Sequence, residues 1–302
     1  MRKVQRLRFW GTGAGEVIPA PFCRCPVCEH ARAHGGKDVR LRSGFRLDEK
    51  VMLDLGEDFL AQAARLLEDP YDVQHVLFSH VHSDHFSRIA LTYSRFIPKF
   101  RSKKMEDIPE PPGPLHLYLT RDGLRILDDI YKGNEAWLKP EFVEFHALDF
   151  YETYDIADYK VTPLKGNHTS DYEAYSGNYL FEFPNGKKLY YALDSGQYIE
   201  ETYEYLKNVK LDMLIGECTY PREEESGGGH MTLVDKTITL DRLYAQGTID
   251  ENTHIYASHI AGLHKTHDEL CAYFAALDKP YKVTVAYDGL CVEEESGMFE
   301  GM

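Results

Sequence analysis

The sequence has no apolar run approaching the ~20 residues needed to cross a bilayer, which excludes a helical membrane span. It also lacks an excess of positive charge. Its 34 basic and 49 acidic residues leave a net charge of −15, which works against generic attraction to nucleic acid and leaves no polybasic patch for a membrane surface. Cysteine is scarce too. Six cysteines in 302 residues, unevenly spread, do not make a disulfide framework, so a reducing, cytoplasmic compartment is expected. The first ten residues begin basic but alternate charged with apolar side chains and contain no long apolar core; they read as a first strand rather than a secretion signal. With 43% hydrophobic and 27% charged residues and no short internal repeat, the expectation is one large layered domain spanning 1–302.

What the chain does have is one dense stretch of ligand atoms. Residues 73–78 are apolar and β-branched enough for a buried strand, and His80, His82, Asp84 and His85 follow at once. Three imidazoles and a carboxylate in six residues point to metal binding. His80 and His82, two apart, share a face on extended backbone, whereas Asp84 and His85 come after the chain begins to turn. That spacing suits two cations a few ångströms apart better than one. A histidine-rich loop without metal is the competing reading.

Elsewhere strands and helices alternate. Strands are expected at 5–10, at 41–47 and 50–54 around the turn Asp48-Glu49, and at 115–119, 159–164, 211–217, 253–257 and 282–286. A hairpin of 176–183 and 187–193 turns at Pro184-Asn185-Gly186. Helices are expected at 58–67, with Phe59, Ala63, Leu66 and Leu67 on one side, at 121–131, at 232–244 capped by Thr232, and just after His264 and His267, running to about 276. Two stretches resist assignment. Residues 91–114 are basic (Arg95, Lys99, Arg101, Lys103, Lys104) and then proline-rich, as in a lid or surface insertion; residues 141–154 mix aromatics and acids without periodicity.

Further candidates stand singly near strand ends: Asp54, His168 in the turn 165–169, Asp194 and His259, with His230 after the acidic, glycine-rich loop 223–229. The turn 11–15, Gly-Thr-Gly-Ala-Gly, can bring backbone close to a ligand, but no dinucleotide-binding helix follows it. Cys23, Cys25 and Cys28 have thiolate-ligand spacing and offer three sulfurs of a tetrahedral zinc site; Cys218, Cys271 and Cys291 stand alone and read as buried apolar residues.

With His80-x-His82-x-Asp84-His85 followed in order by His168, Asp194 and His259, the chain resembles the metallo-β-lactamase-fold hydrolases. The resemblance implies an α/β, four-layered αββα sandwich with its metals at one edge of the two sheets. It also implies that His80, His82 and His168 hold one metal, that Asp84, His85 and His259 hold a second, and that Asp194 bridges them. Zinc, manganese or iron would suit these ligands. Within that superfamily the cysteine cluster, Gly229-His230 and the ending Ala286-Tyr287-Asp288-Gly289-Leu290 are similar to the cyclic-phosphate phosphodiesterases of phosphonate breakdown. There the cluster holds a structural zinc whose fourth ligand is a histidine three residues after the last active-site histidine. Here that position is Gly262, and His264, or failing it His267, is expected to substitute.

The expected function is hydrolysis of a small or cyclic phosphodiester by a hydroxide held between two cations, with Asp84 orienting it and His230 protonating the leaving group or gripping the phosphate. Lactone or thioester hydrolysis, tRNA 3′-end processing and a non-catalytic metal-binding role are the alternatives. The resemblance also implies a homodimer.

Overall fold

The computed structural model describes residues 7–105, 108–131, 142–169, 174–224, 228–263 and 265–292. Two sheets form its centre. The first has six strands in chain order: β1 (Arg8–Gly11), β2 (Gly44–Arg46), β3 (Val51–Leu53), β4 (His75–Leu77), β5 (Leu115–Thr120) and β6 (Val143–Leu148). β1 to β3 pair antiparallel, and β3 to β6 run parallel. The second has seven: β7 (Tyr154–Ile156), β8 (Tyr159–Thr169), β9 (Tyr175–Glu182), β10 (Lys188–Ala192), β11 (Met213–Glu217), β12 (His254–Ser258) and β13 (Val283–Val285). Its first four strands are antiparallel and its last four parallel.

Strand periodicity of two decides which layer each side chain enters. In β4, Leu77 faces the other sheet and Val76 the outer helices; in β11, Met213 and Ile215 face inward and Leu214 outward. Both faces of these strands are therefore buried, which is why they read as continuous apolar runs. The helices α1 (Pro26–His34), α2 (Phe59–Leu66), α3 (Arg88–Leu91), α4 (Ile97–Ser102), α5 (Arg121–Tyr131), α6 (Glu200–Leu206), α7 (Leu233–Ala245) and α8 (His267–Ala276) flank the sheets. Phe59, Ala90, Leu91 and Leu127 cover the outer face of the first sheet. Tyr203, Leu206, Leu240 and Leu243 cover that of the second, and Val27, Ala31, Leu270 and Phe274 close its β12–β13 end. This is the expected αββα sandwich.

Several local expectations change. Residues 91–102 are not a loop: Ser87 caps α3 by accepting from the Ala90 N–H, and a π-helical turn, Thr92–Phe96, carries the helix into α4. Leu67 does not share the buried face of α2. As the residue ending that helix it takes a left-handed φ of 53° and is 92% exposed. Residues 165–169, expected as a turn, continue β8 through an irregular register between Lys165 and Thr169. The aperiodic 141–154 contains β6, an edge strand whose mixed side chains hide the alternation. Of the solitary cysteines only Cys218 is buried; Cys271 is exposed and Cys291 partly exposed.

Candidate metal centre

The site lies where the strands' carboxyl ends meet. His80, His82, Asp84 and His85 follow β4, Asp194 follows β10, and His259 follows β12, while His168 comes from the irregular end of β8. The structure thus brings all seven expected ligands together, in two groups. His82 Nδ1 lies 2.8 Å from His80 Nε2 and 3.3 Å from His168 Nε2. In the other group His85 Nε2 is 3.3 Å from His259 Nε2, 2.9 Å from Asp194 Oδ2 and 3.4 Å from Asp84 Oδ2. His259 Nε2 is 3.1 Å from Asp194 Oδ2 and 3.6 Å from Asp84 Oδ2. Asp194 joins the groups, because its Oδ1 is 4.0 Å from His168 Nε2.

These separations fit metal ligands. Four atoms at zinc-like bond lengths of 2.0–2.2 Å stand about 3.4 Å apart along the edges of a tetrahedron. Asp194 Oδ2 is buried and has no hydrogen-bond partner among the described residues, although two imidazole nitrogens stand beside it. An orphaned carboxylate oxygen is costly unless a cation faces it.

The hydrogen bonds behind the ligands fix their orientation. Thr219 Oγ1 donates to Glu217 Oε2 at 2.5 Å, so its oxygen accepts from His259 Nδ1–H at 2.8 Å. That leaves the lone pair of His259 on Nε2, facing the two aspartates. His85 Nδ1 meets Asp54 Oδ2 at 2.9 Å, and Ser79 Oγ lies 3.1 Å from Nδ1 of both His80 and His85. Such partners hold each ring at the angle a metal requires.

Electrostatics sort the groups accordingly. Burial, together with the charge of His85, holds His80 well below the ordinary imidazole range, and burial lowers His168 to about 4. Both are neutral, ligand-competent imidazoles. Burial works against charge on Asp84 and Asp194, but the surrounding histidines hold both carboxylates in the ionised form. Burial also opposes charge on His85, yet Asp194, Asp84 and Asp54 raise it well above its usual value, a measure of how strongly this cage attracts a cation.

The backbone is strained here. Asp54, Asp194 and His259 have φ of 56°, 49° and 54°, left-handed conformations that non-glycine residues seldom adopt. Each follows a strand end and turns its side chain into the site.

His230 joins the cluster. Its ring centroid lies 4.5 Å from that of His168, and its Nδ1 is 3.3 Å from Glu217 Oε2 and 3.6 Å from Asp194 Oδ1. A Cβ at position 229 would sit 3.1 Å from His168 Nδ1, so glycine there lets the loop approach this closely. Burial disfavours the charged form of His230, but Glu217 outweighs it and raises the group to about 9. Nothing in the sequence singles out Glu217, which looks like the end of an apolar strand. It is completely buried and accepts from the backbone N–H groups of Ser195, Gly196 and Met231. The 11–15 turn also reaches the site, with position 15 beside Asp84 Oδ2.

The second cluster forms at the start of α1. The sulfurs of Cys23, Cys25 and Cys28 lie within 4.8 Å of one another, and Cys25 Sγ and Cys28 Sγ accept from the N–H groups of Cys28 and Ala20. Gly262 lies against this cluster, as the resemblance implied for the fourth ligand's position: an added Cβ would stand 3.6 Å from Cys28 Sγ. His264, the expected substitute, lies outside the described residues. His267 is engaged elsewhere, with Nδ1 3.0 Å from Arg40 and Nε2 3.5 Å from Cys271 Sγ.

Residues 49–255 match the model of the beta-lactamase superfamily domain, more than half of the chain. The chain belongs to the beta-lactamase superfamily. Endoribonuclease YSH1 of Gibberella zeae is 26% identical over 187 residues, 56% of this chain and 21% of that protein, so this superfamily member spans about a fifth of that relative's length. The fold is shared with a diphosphatase from the PhnP family (TM-score 0.70, 22% identity, 95% of this chain and 97% of that one). It is shared too with zinc-bound PqqB from Methylobacterium extorquens (0.70, 18%, 95% and 99%) and with the short form of human tRNase Z (0.61, 16%, 95% and 98%). The chain is accordingly a hydrolase-family protein of the metallo-β-lactamase fold, with histidine and aspartate clusters suited to divalent metals. Among the described residues, no helix is long and apolar enough to cross a membrane.

Proposed function

We propose that the protein is a two-metal phosphodiesterase acting on a small or cyclic phosphodiester. The observation that carries this reading is Asp194, whose two carboxylate oxygens face different groups of histidines. His80, His82 and His168 would hold one cation, Asp84, His85 and His259 the other, with Asp194 between them; zinc or manganese suits this donor set, and iron is compatible with it. When bound, the metals would supply an acidified water and neutralise phosphate charge.

The chain's own residues supply the rest. Asp84, beside the second group, orients the attacking water. His230 carries a proton that the leaving oxygen needs as the P–O bond breaks. Its Nδ1 side is held by Glu217, so the transferable proton is on Nε2. A cationic imidazole also favours an anionic substrate over a neutral lactone or thioester. A structural zinc on Cys23, Cys25 and Cys28 belongs to the same reading.

Cleavage of RNA is the second reading, favoured by the likeness to endoribonuclease YSH1. The net charge of −15 works against holding a long polyanion, which is why a small substrate is preferred. The test is hydrolysis of bis-p-nitrophenyl phosphate with added zinc or manganese, run beside a lactone, a thioester and a tRNA precursor. Turnover of the phosphodiester above the other three supports the proposal. Preferential turnover of any of those three contradicts it, and metal without turnover points to a non-catalytic protein.

A further inference from the structure

A second group of imidazoles lies away from the strand ends described above. Register pairs His75 of β4 with His116 of β5 and His116 with Glu144 of β6; two residues further on, Leu77, Tyr118 and His146 are paired in the same way. Side chains two apart share a face, and Leu77 and Tyr118 belong to the core between the sheets. His75, His116, Glu144 and His146 therefore extend that inner face. They do so from the opposite end of β4, since His75 begins the strand that leads to His80, roughly 16 Å of extended chain away.

Three of these residues converge. His116 Nδ1 lies 3.0 Å from His146 Nε2 and 3.5 Å from Glu144 Oε2, and Glu144 Oε1 lies 3.9 Å from His146 Nε2. These separations bracket the ~3.4 Å edge of a zinc coordination tetrahedron. The rings are also held in place. His116 stacks on His75 with centroids 5.2 Å apart, His146 stacks on Tyr118 at 4.7 Å, and His75 Nδ1 is 3.0 Å from the Tyr118 hydroxyl. Stacking of this kind limits ring rotation, so little ordering remains when a ligand binds.

We propose that His116, Glu144 and His146 form a further binding site for a divalent cation of the zinc class, with coordination positions open to solvent on the side of the exposed Glu144. Two imidazoles and one carboxylate select zinc, nickel or copper over magnesium or calcium, which take all-oxygen sets. β6 ends the first sheet, so a cation here would tie the edge strand to its neighbour β5.

The test is equilibrium dialysis of the 302-residue chain against cobalt(II) alone, with the visible absorption of the bound ion recorded, for the wild type, the His116→Ala/His146→Ala double variant and Glu144→Gln. The wild type should bind one cobalt more than the double variant and show an absorption component that the double variant lacks. Glu144→Gln leaves the rings and strands intact and should weaken that component by at least the ~10–100-fold that even a hydrogen-bonding partner of a ligand supplies. Phosphodiesterase activity should be unchanged in all three, which separates this site from the proposed catalytic one. Equal cobalt content, affinity and spectra across the three proteins would overturn the proposal, and a Glu144→Gln result matching wild type would do so even if the double variant did not fold.

Discussion

Asp54 Oδ2 lies 2.9 Å from His85 Nδ1, and neither side chain is exposed to solvent. The same carboxylate accepts from the Ser79 N–H and hydroxyl and from the Tyr191 hydroxyl, joining the end of β3 to the end of β4 and to β10 of the other sheet. One residue thereby sets the angle of a proposed ligand and ties the two sheets together beneath it. Asp54→Ala is expected to weaken metal binding by roughly 10–100-fold and to cost about 1–3 kcal/mol for polar groups left unpaired. Titration with zinc and a denaturant melt measure both; unchanged metal affinity would show that His85 needs no orienting partner.

Glu217 and His230 form the second relationship with consequences. Removing the proposed proton donor by His230→Ala should reduce turnover by roughly a hundred- to ten-thousand-fold, the range of general acid catalysis, with metal content unchanged. The pH profile gives a finer test. The imidazolium is the acid form, so with the group raised to about 9 it persists below that pH, and turnover that needs its proton falls as pH rises through about 9. Glu217→Gln removes the charge that raises it and should move that fall toward the ordinary imidazole value near ~6.5. A limb that stays in place would assign it to another group.

The cysteine cluster predicts a stability effect without a catalytic one. Cys25→Ser should lower the melting temperature and release zinc while the two catalytic equivalents remain, because a structural zinc adds its binding energy to folding. Gly262→His should tighten zinc at the same place, since the new Cβ would lie 3.6 Å from Cys28 Sγ and requires only a small shift of Ile18, 3.2 Å away. Unchanged melting and unchanged zinc in both variants would argue against a metal there.

The site was legible in the sequence where its chemistry is local. His80, His82, Asp84 and His85 stand within six residues, and Asp194 and His259 follow apolar strands that both layers bury. Glu217 was not legible, because its importance comes from Thr219, Met231 and His230, which surround it only in the folded chain. His168 looks like part of a turn because Gly166 and Asn167 precede it, yet the Asn167 N–H bonds to the Ser195 carbonyl at 2.6 Å and ties the irregular end of β8 to the segment that follows β10, two strands away. The inner-face group of His116 and His146 was invisible for a related reason: thirty residues separate them, and only the β5–β6 register brings them together.

Asp194 is the proposed link between two metals, and elemental analysis of Asp194→Ala beside the wild type tests that role. Loss of about two metals per chain together with loss of phosphodiester turnover is the predicted result. Undiminished metal content, or turnover retained, would contradict a centre in which this carboxylate faces both cations.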